Sequence, residues 1–130
     1  MTIEEIKTVC FVGAGTMGCF NSLVAALAGY DAVVWDASTD ALQQAPQRLR
    51  EMGDYFVILG HSTPAQIDEA LSRLRFINDP QEAAAHADLL SESVFEQLEL
   101  KRQVHQQFER LCPPHTIMTT NTSMLLVSGI

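Results

Sequence analysis

Gly13, Gly15 and Gly18 stand in the spacing G-x-G-x-x-G, written out as Gly13-Ala14-Gly15-Thr16-Met17-Gly18, and a carboxylate, Asp36, follows 18 residues after the last glycine. Residues of these types at this spacing suit anion binding beside a sugar. Glycine at 13 lets the chain turn sharply where a side chain would force an unfavourable dihedral. A bare Gly15 lets a pyrophosphate come close to the backbone, and Gly18 lets a following helix pack tightly on the preceding strand. A helix beginning near Thr16 aims unpaired N–H groups and the positive end of its dipole at the phosphates. Asp36 would accept hydrogen bonds from a ribose 2′-OH and repel a 2′-phosphate. No lysine or arginine follows it until Arg48, so NAD is expected over NADP. A glycine-rich turn that binds nothing shares the three glycines, and only their context separates the two readings.

That context is a strand, a helix and a second strand in register. The apolar run TVCFV leads straight into the glycines, an alanine-rich stretch follows, and the run AVVW ends on Asp36. Together these elements make a dinucleotide-binding fingerprint. Alternation continues along the chain. Ser38 or Thr39 caps a helix through ALQQAPQRLREM, which Pro46 is expected to kink or split. The stretch GDYFVILG reads as helix or loop. Thr63 as N-cap, Pro64 at the first helical position and Gln66 closing a capping box start a helix running to about Leu74. LRFI reads as a third strand, Asp79-Pro80 opens a short helix through His86, and ADLLSESV supplies a fourth strand. The next helix carries Leu100, Val104, Phe108 and Leu111 on one stripe and stops at Pro113-Pro114. HTIMTT is a fifth strand, ending at Asn121-Thr122-Ser123. Strands alternating with helices predict an α/β chain of one domain, 1–130, with a doubly wound parallel sheet of the Rossmann type and helices on both faces.

Bulk properties exclude several function classes. The chain has 130 residues, 47% of them hydrophobic, and a formal charge of −8 with only eight lysines and arginines. A nucleic-acid role needs a basic face, which these scattered cations do not supply. No apolar run approaches the length of a membrane span, and the acidic start MTIEEIK precedes no signal-type core. Cys10, Cys19 and Cys112 are odd in number and set in apolar or helical surroundings, which suggests reduced thiols and a cytoplasmic location. His61, His86, His105 and His115 share no ligand-like spacing, so no metal site is expected. Each is assigned to a surface or cap position, His105 to a solvated face among Gln103, Gln106 and Gln107.

Three separated segments resemble the NAD-binding domain of the 3-hydroxyacyl-CoA dehydrogenase family, whose relatives include lambda-crystallin, a gulonate dehydrogenase. They are VCFVGAGTMG with Asp36, ADLLSESVFEQLELKRQV, and CPPHTIMTTNTS. The resemblance implies that Gly13, Gly15 and Gly18 with Asp36 hold the adenosine half of NAD, and that Ala14, Thr16 and Met17 of the same loop bind the cofactor. It implies that Glu96 and Lys101 lie near the nicotinamide ribose. An ordinary charged helix start, with Glu96 favouring the dipole and Lys101 solvated, would look the same. Asn121 and Ser123 follow the fifth strand, outside the carboxyl ends where ligands of open α/β sheets bind. The resemblance gives Ser123 a contact with substrate and with the nicotinamide end, although Asn121 and Ser123 also suit a turn or a helix cap.

The resemblance implies hydride transfer between NAD and a 3-hydroxyacyl substrate. The family's catalytic histidine and its orienting glutamate lie beyond the third segment, so the residues to Ile130 are expected to bind NAD without turnover. A non-catalytic NAD-binding or interaction module is the alternative. The helix after the second strand carries no lysine and offers only Arg48 and Arg50, which leaves open whether the substrate carries coenzyme A or is a free hydroxy- or keto-acid. The apolar tail MLLVSGI and the fifth strand's edge are expected to be uncovered unless a homodimer or further chain hides them.

Overall fold

Residues Thr8–Val12 form the central strand, β1, and their alternating side chains divide the core in two. Val9 and Phe11 join one buried cluster, while Cys10 and Val12 join another. The computed structural model describes residues 1–130. Asp31–Trp35 (β2), Leu74–Ile77 (β3), Leu89–Glu92 (β4) and Ile117–Thr120 (β5) complete a five-stranded sheet in the order β3-β2-β1-β4-β5. Every neighbouring pair is parallel. This is the doubly wound α/β sheet of the Rossmann type that the alternation predicts.

Helices cover both faces. On one lie α1 (Thr16–Leu27), α2 (Thr39–Ile58) and α3 (Pro64–Ser72), burying Leu23, Leu49 and Ala70 among others. On the other lie α4 (Pro80–Ala84) and α5 (Leu98–Leu111), where Phe108 meets Trp35 edge-on at 5.1 Å between ring centres. The Trp35 indole N–H donates to the Asn78 carbonyl at 2.7 Å, so this buried ring leaves no polar atom unpaired. The α3 start forms as predicted: Thr63 accepts from the Gln66 N–H, and the Gln66 side chain accepts from the Thr63 N–H.

Of the kink or split expected at Pro46, the split does not occur. α2 runs unbroken through this residue and continues over most of the 53–60 stretch. A proline inside a helix costs about 3 kcal/mol through its missing donor. The buried stripe of Leu42, Ala45, Leu49 and Gly53 outweighs this, each fully buried leucine alone contributing roughly 2 kcal/mol. Other differences are of length. α3 stops at Ser72 because Leu74 is already paired with Ala32 of β2, and α4 stops at Ala84. β4 and β5 are each trimmed to four residues. No helix is long and apolar enough to cross a membrane.

Candidate functional site

β1 sits between β2 and β4, and the chain passes from one flank to the other between β3 and β4, so the crevice beyond its carboxyl end is the switch point of the sheet. The glycine loop fills that place. Gly13 has φ +115°, and a Cβ there would meet the Ser93 carbonyl oxygen at 2.7 Å. Only glycine fits both the dihedral and the contact. A Cβ on Gly18 would lie 1.7 Å from the Gly13 carbonyl oxygen, so the start of α1 is pressed directly on the loop. Around Gly15 a Cβ would meet nothing within 4 Å. Protein packing therefore explains the first and third glycines and leaves the second facing open space.

Asp36 directly follows β2 and has both oxygens engaged by backbone. Oδ2 accepts the Ala14 N–H at 2.8 Å and Oδ1 accepts the Ser38 N–H at 2.8 Å. Each carboxylate oxygen has a second lone-pair direction, so a sugar hydroxyl can still be accepted. The Ala14 carbonyl accepts from Arg48 Nη1 of α2 at 2.9 Å and from the Cys19 thiol at 3.4 Å. Burial pushes the Cys19 thiol up, against the pull of Arg48, and keeps it a donor.

Beyond β4 a buried charged cluster joins three elements. Lys101 and Glu92 are both fully buried, with Lys101 Nζ 2.7 Å from Glu92 Oε2. The same ammonium donates to the Asn121 carbonyl at 3.2 Å and lies 3.6 Å from Glu96. Glu92 also accepts the Val94 N–H at 2.9 Å and the Thr120 hydroxyl at 2.7 Å. Burial by itself would raise the Glu92 carboxyl, but His105, Lys101, Thr120 and the Val94 N–H outweigh it and hold the group at about 2. Lys101 is thus not solvated; its ammonium faces inward and ties the β4–α5 loop to the end of β5.

His105 is a correction. Only 15% of its side chain is exposed, and Nε2 lies 3.4 Å from Glu92 Oε1. The glutamines beside it face solvent, but His105 sits four residues after Lys101 and turns inward with it. His61, His86 and His115 are exposed, His115 beside Asp88 at 2.9 Å. Sequence reasoning missed Glu92, His105 and the role of Arg48. The available signal was helical spacing: Lys101 precedes Val104 by three residues and Phe108 by seven, on the buried stripe of α5.

Glu96 is partly exposed at the start of α5 and accepts the Thr122 hydroxyl. Asn121 donates its N–H to the Glu92 carbonyl at 2.8 Å. The turn beyond β5 is capped by Thr122, whose hydroxyl accepts the Met124 and Leu125 N–H groups. Ser123 is exposed and its hydroxyl has no partner in the chain.

Gly15, Thr16 and Asp36 form one wall of a cleft of about 550 Å³, and Val94, Phe95 and Val104 line the other. The lining of the cleft suits a dinucleotide. The N–H groups of Gly15 and Thr16 bond nothing within the chain, the space over Gly15 is open, and the Asp36 carboxylate lines the same cleft. No lysine or arginine lines the cleft, so a 2′-phosphate has no counter-charge there. The family description "3-hydroxyacyl-CoA dehydrogenase, NAD binding domain" matches residues 8–130. The chain belongs to this family.

Relatives of this NAD-binding domain agree. The chain is 35% identical over 126 residues to a 3-hydroxyadipyl-CoA dehydrogenase of Escherichia coli K12, covering 97% of this chain and 26% of that protein. It is 32% identical to a probable 3-hydroxybutyryl-CoA dehydrogenase of Bacillus subtilis, covering 97% and 44%. A solved 3-hydroxybutyryl-CoA dehydrogenase of E. coli K12 superposes with a TM-score of 0.87 at 34% identity, over 96% of this chain and 26% of that one. A diketoreductase acting on dicarbonyl compounds gives a TM-score of 0.90 at 32% identity, over 99% and 45%. The chain therefore spans less than half the length of these relatives. NAD is the cofactor of the domain.

Proposed function

We propose that this domain is the cofactor half of an oxidoreductase that interconverts 3-hydroxyacyl and 3-keto groups. The observation that carries the reading is the cleft at the sheet's switch point, with free loop amides and Asp36 on one wall. Bound NAD supplies the hydride chemistry. The Gly15 and Thr16 N–H groups hold the pyrophosphate, and Asp36 accepts from the adenosine ribose. Glu96 accepts from the second ribose, and the Ser123 hydroxyl meets the substrate oxygen. Lys101 acts through Glu92 and Asn121, fixing the loops that carry these groups.

No histidine lines the cleft. Proton transfer from the substrate hydroxyl is therefore assigned to a group outside these residues, and the domain alone binds without turnover. Ile117, Met124, Leu126 and Val127 are exposed along β5 and beyond it, and a further domain or a second copy in a homodimer would cover them. The substrate is a 3-hydroxyacyl thioester or the corresponding free acid, and the protein works in the cytoplasm.

The test pairs binding with turnover. Calorimetry should show micromolar NADH binding to the domain and much weaker NADPH binding. The full translation product of the gene should reduce NAD with 3-hydroxyacyl-CoA or with 3-hydroxy acids. Tight NADH binding without reduction by either class would make the protein a non-catalytic NAD-binding module.

A further inference from the structure

We propose that Arg48 is a positioning residue that fixes the direction of the Gly15 N–H; the proposal rests on the NAD reading of the cleft. Arg48 projects from α2, the helix packed beside the glycine loop, and its Nη1 reaches the Ala14 carbonyl 34 residues back in the chain. Asp36 holds the N–H of the same residue. Ala14 is thus gripped at both polar groups, by a carboxylate at one end and a guanidinium at the other.

The peptide between Ala14 and Gly15 is planar and trans, so its carbonyl and its N–H point in opposite directions. With the carbonyl turned to Arg48, the Gly15 N–H faces away from α2, toward the cleft that Gly15 lines. It has no partner there within the chain. Gly15 itself does not hold this orientation, because glycine adopts nearly any dihedral and a Cβ at 15 would touch nothing. A rotated peptide would turn its carbonyl oxygen toward the phosphates. Arg48 blocks that rotation with a charge-assisted bond, helped by the Cys19 thiol at 3.4 Å. No carboxylate lies within 4.0 Å of the guanidinium, so no ion pair competes for it.

The experiment titrates the domain and its Arg48→Met variant with NADH, ADP-ribose and adenosine, the last by ligand-detected NMR. We expect NADH and ADP-ribose, which carry the pyrophosphate, to bind about tenfold more weakly to the variant, and adenosine to bind equally. Arg48→Lys, which restores a cationic donor, should recover part of the loss; if Arg48→Met does not fold, a selective loss of pyrophosphate ligands in Arg48→Lys reads the same effect. Unchanged NADH affinity in Arg48→Met overturns the inference, as does an equal loss for adenosine. Failure of the unaltered domain to bind NADH would instead overturn the reading of the cleft itself.

Discussion

Replacing Lys101 with methionine would strand the Glu92 carboxylate inside the protein. Both side chains are fully buried and 2.7 Å apart, and Lys101 is the one cationic side chain, besides any protonated His105, in contact with that acid. Breaking a buried pair by removing one partner costs about 3–5 kcal/mol. The lower end applies here, because Glu92 keeps the Thr120 hydroxyl and the Val94 N–H. Urea unfolding should therefore show Lys101→Met less stable by about 3 kcal/mol, and for a chain of this size the thermal midpoint should fall by roughly 10 °C. The double variant Glu92→Gln/Lys101→Met removes the stranded charge but keeps hydrogen-bonding atoms at position 92. It should be more stable than Lys101→Met alone, with a coupling of at least about 1 kcal/mol in the mutant cycle. A loss below about 1 kcal/mol for Lys101→Met, or a double variant no better than the single one, would refute the account of the cluster as a paired buried charge.

Three further outcomes are expected. The Glu92 carboxyl, held at about 2 against an ordinary 4.5, contributes stability that is fully present above pH 4.5 and lost as pH falls through 2; the difference is worth about 3 kcal/mol, and urea midpoints measured across that range should lose this component in Glu92→Gln. Gly18→Ala, whose Cβ would lie 1.7 Å from a backbone oxygen, should cost at least about 3 kcal/mol in unfolding, whereas Gly15→Ala should leave stability within about 1 kcal/mol and weaken NADH binding. Asp36→Asn should weaken NADH about tenfold and narrow its preference over NADPH in a calorimetric titration, since the charge that repels a 2′-phosphate is gone.

The elements around the glycine loop were legible because their determinants are local. Gly13, Gly18 and the runs beside them specify a strand, a tight turn and a helix within 30 residues, and the Thr63–Gln66 capping box lies within a single turn. Pro46 misled because its penalty is local while its compensation is tertiary. The burial of Lys101 and Glu92 was hidden for a related reason. A charged side chain reads as solvated until its partner is known, and this partner lies nine residues away on a different element. Arg48 is the same case at greater range: 34 residues separate it from the carbonyl it holds, and only the packing of α2 brings them together. What the sequence conceals here is cross-element polar pairing.

The placement of β1 between a neighbour in sequence and one far downstream has a consequence for synthesis. β2 can pair with β1 almost as soon as it is made, but the other flank waits for β4, to which the Val12 carbonyl and the Lys7 and Thr8 N–H groups are also tied through Ser93 and Asp88. At ribosomal speeds of about 5–20 residues per second, the strand destined for the middle of the sheet spends on the order of seconds as an open edge. The nascent chain is most exposed to mispairing during that interval, and the nucleotide cleft cannot exist until it closes. Cofactor binding would thus begin only after the interval of greatest aggregation risk has passed, and could not protect the chain during it.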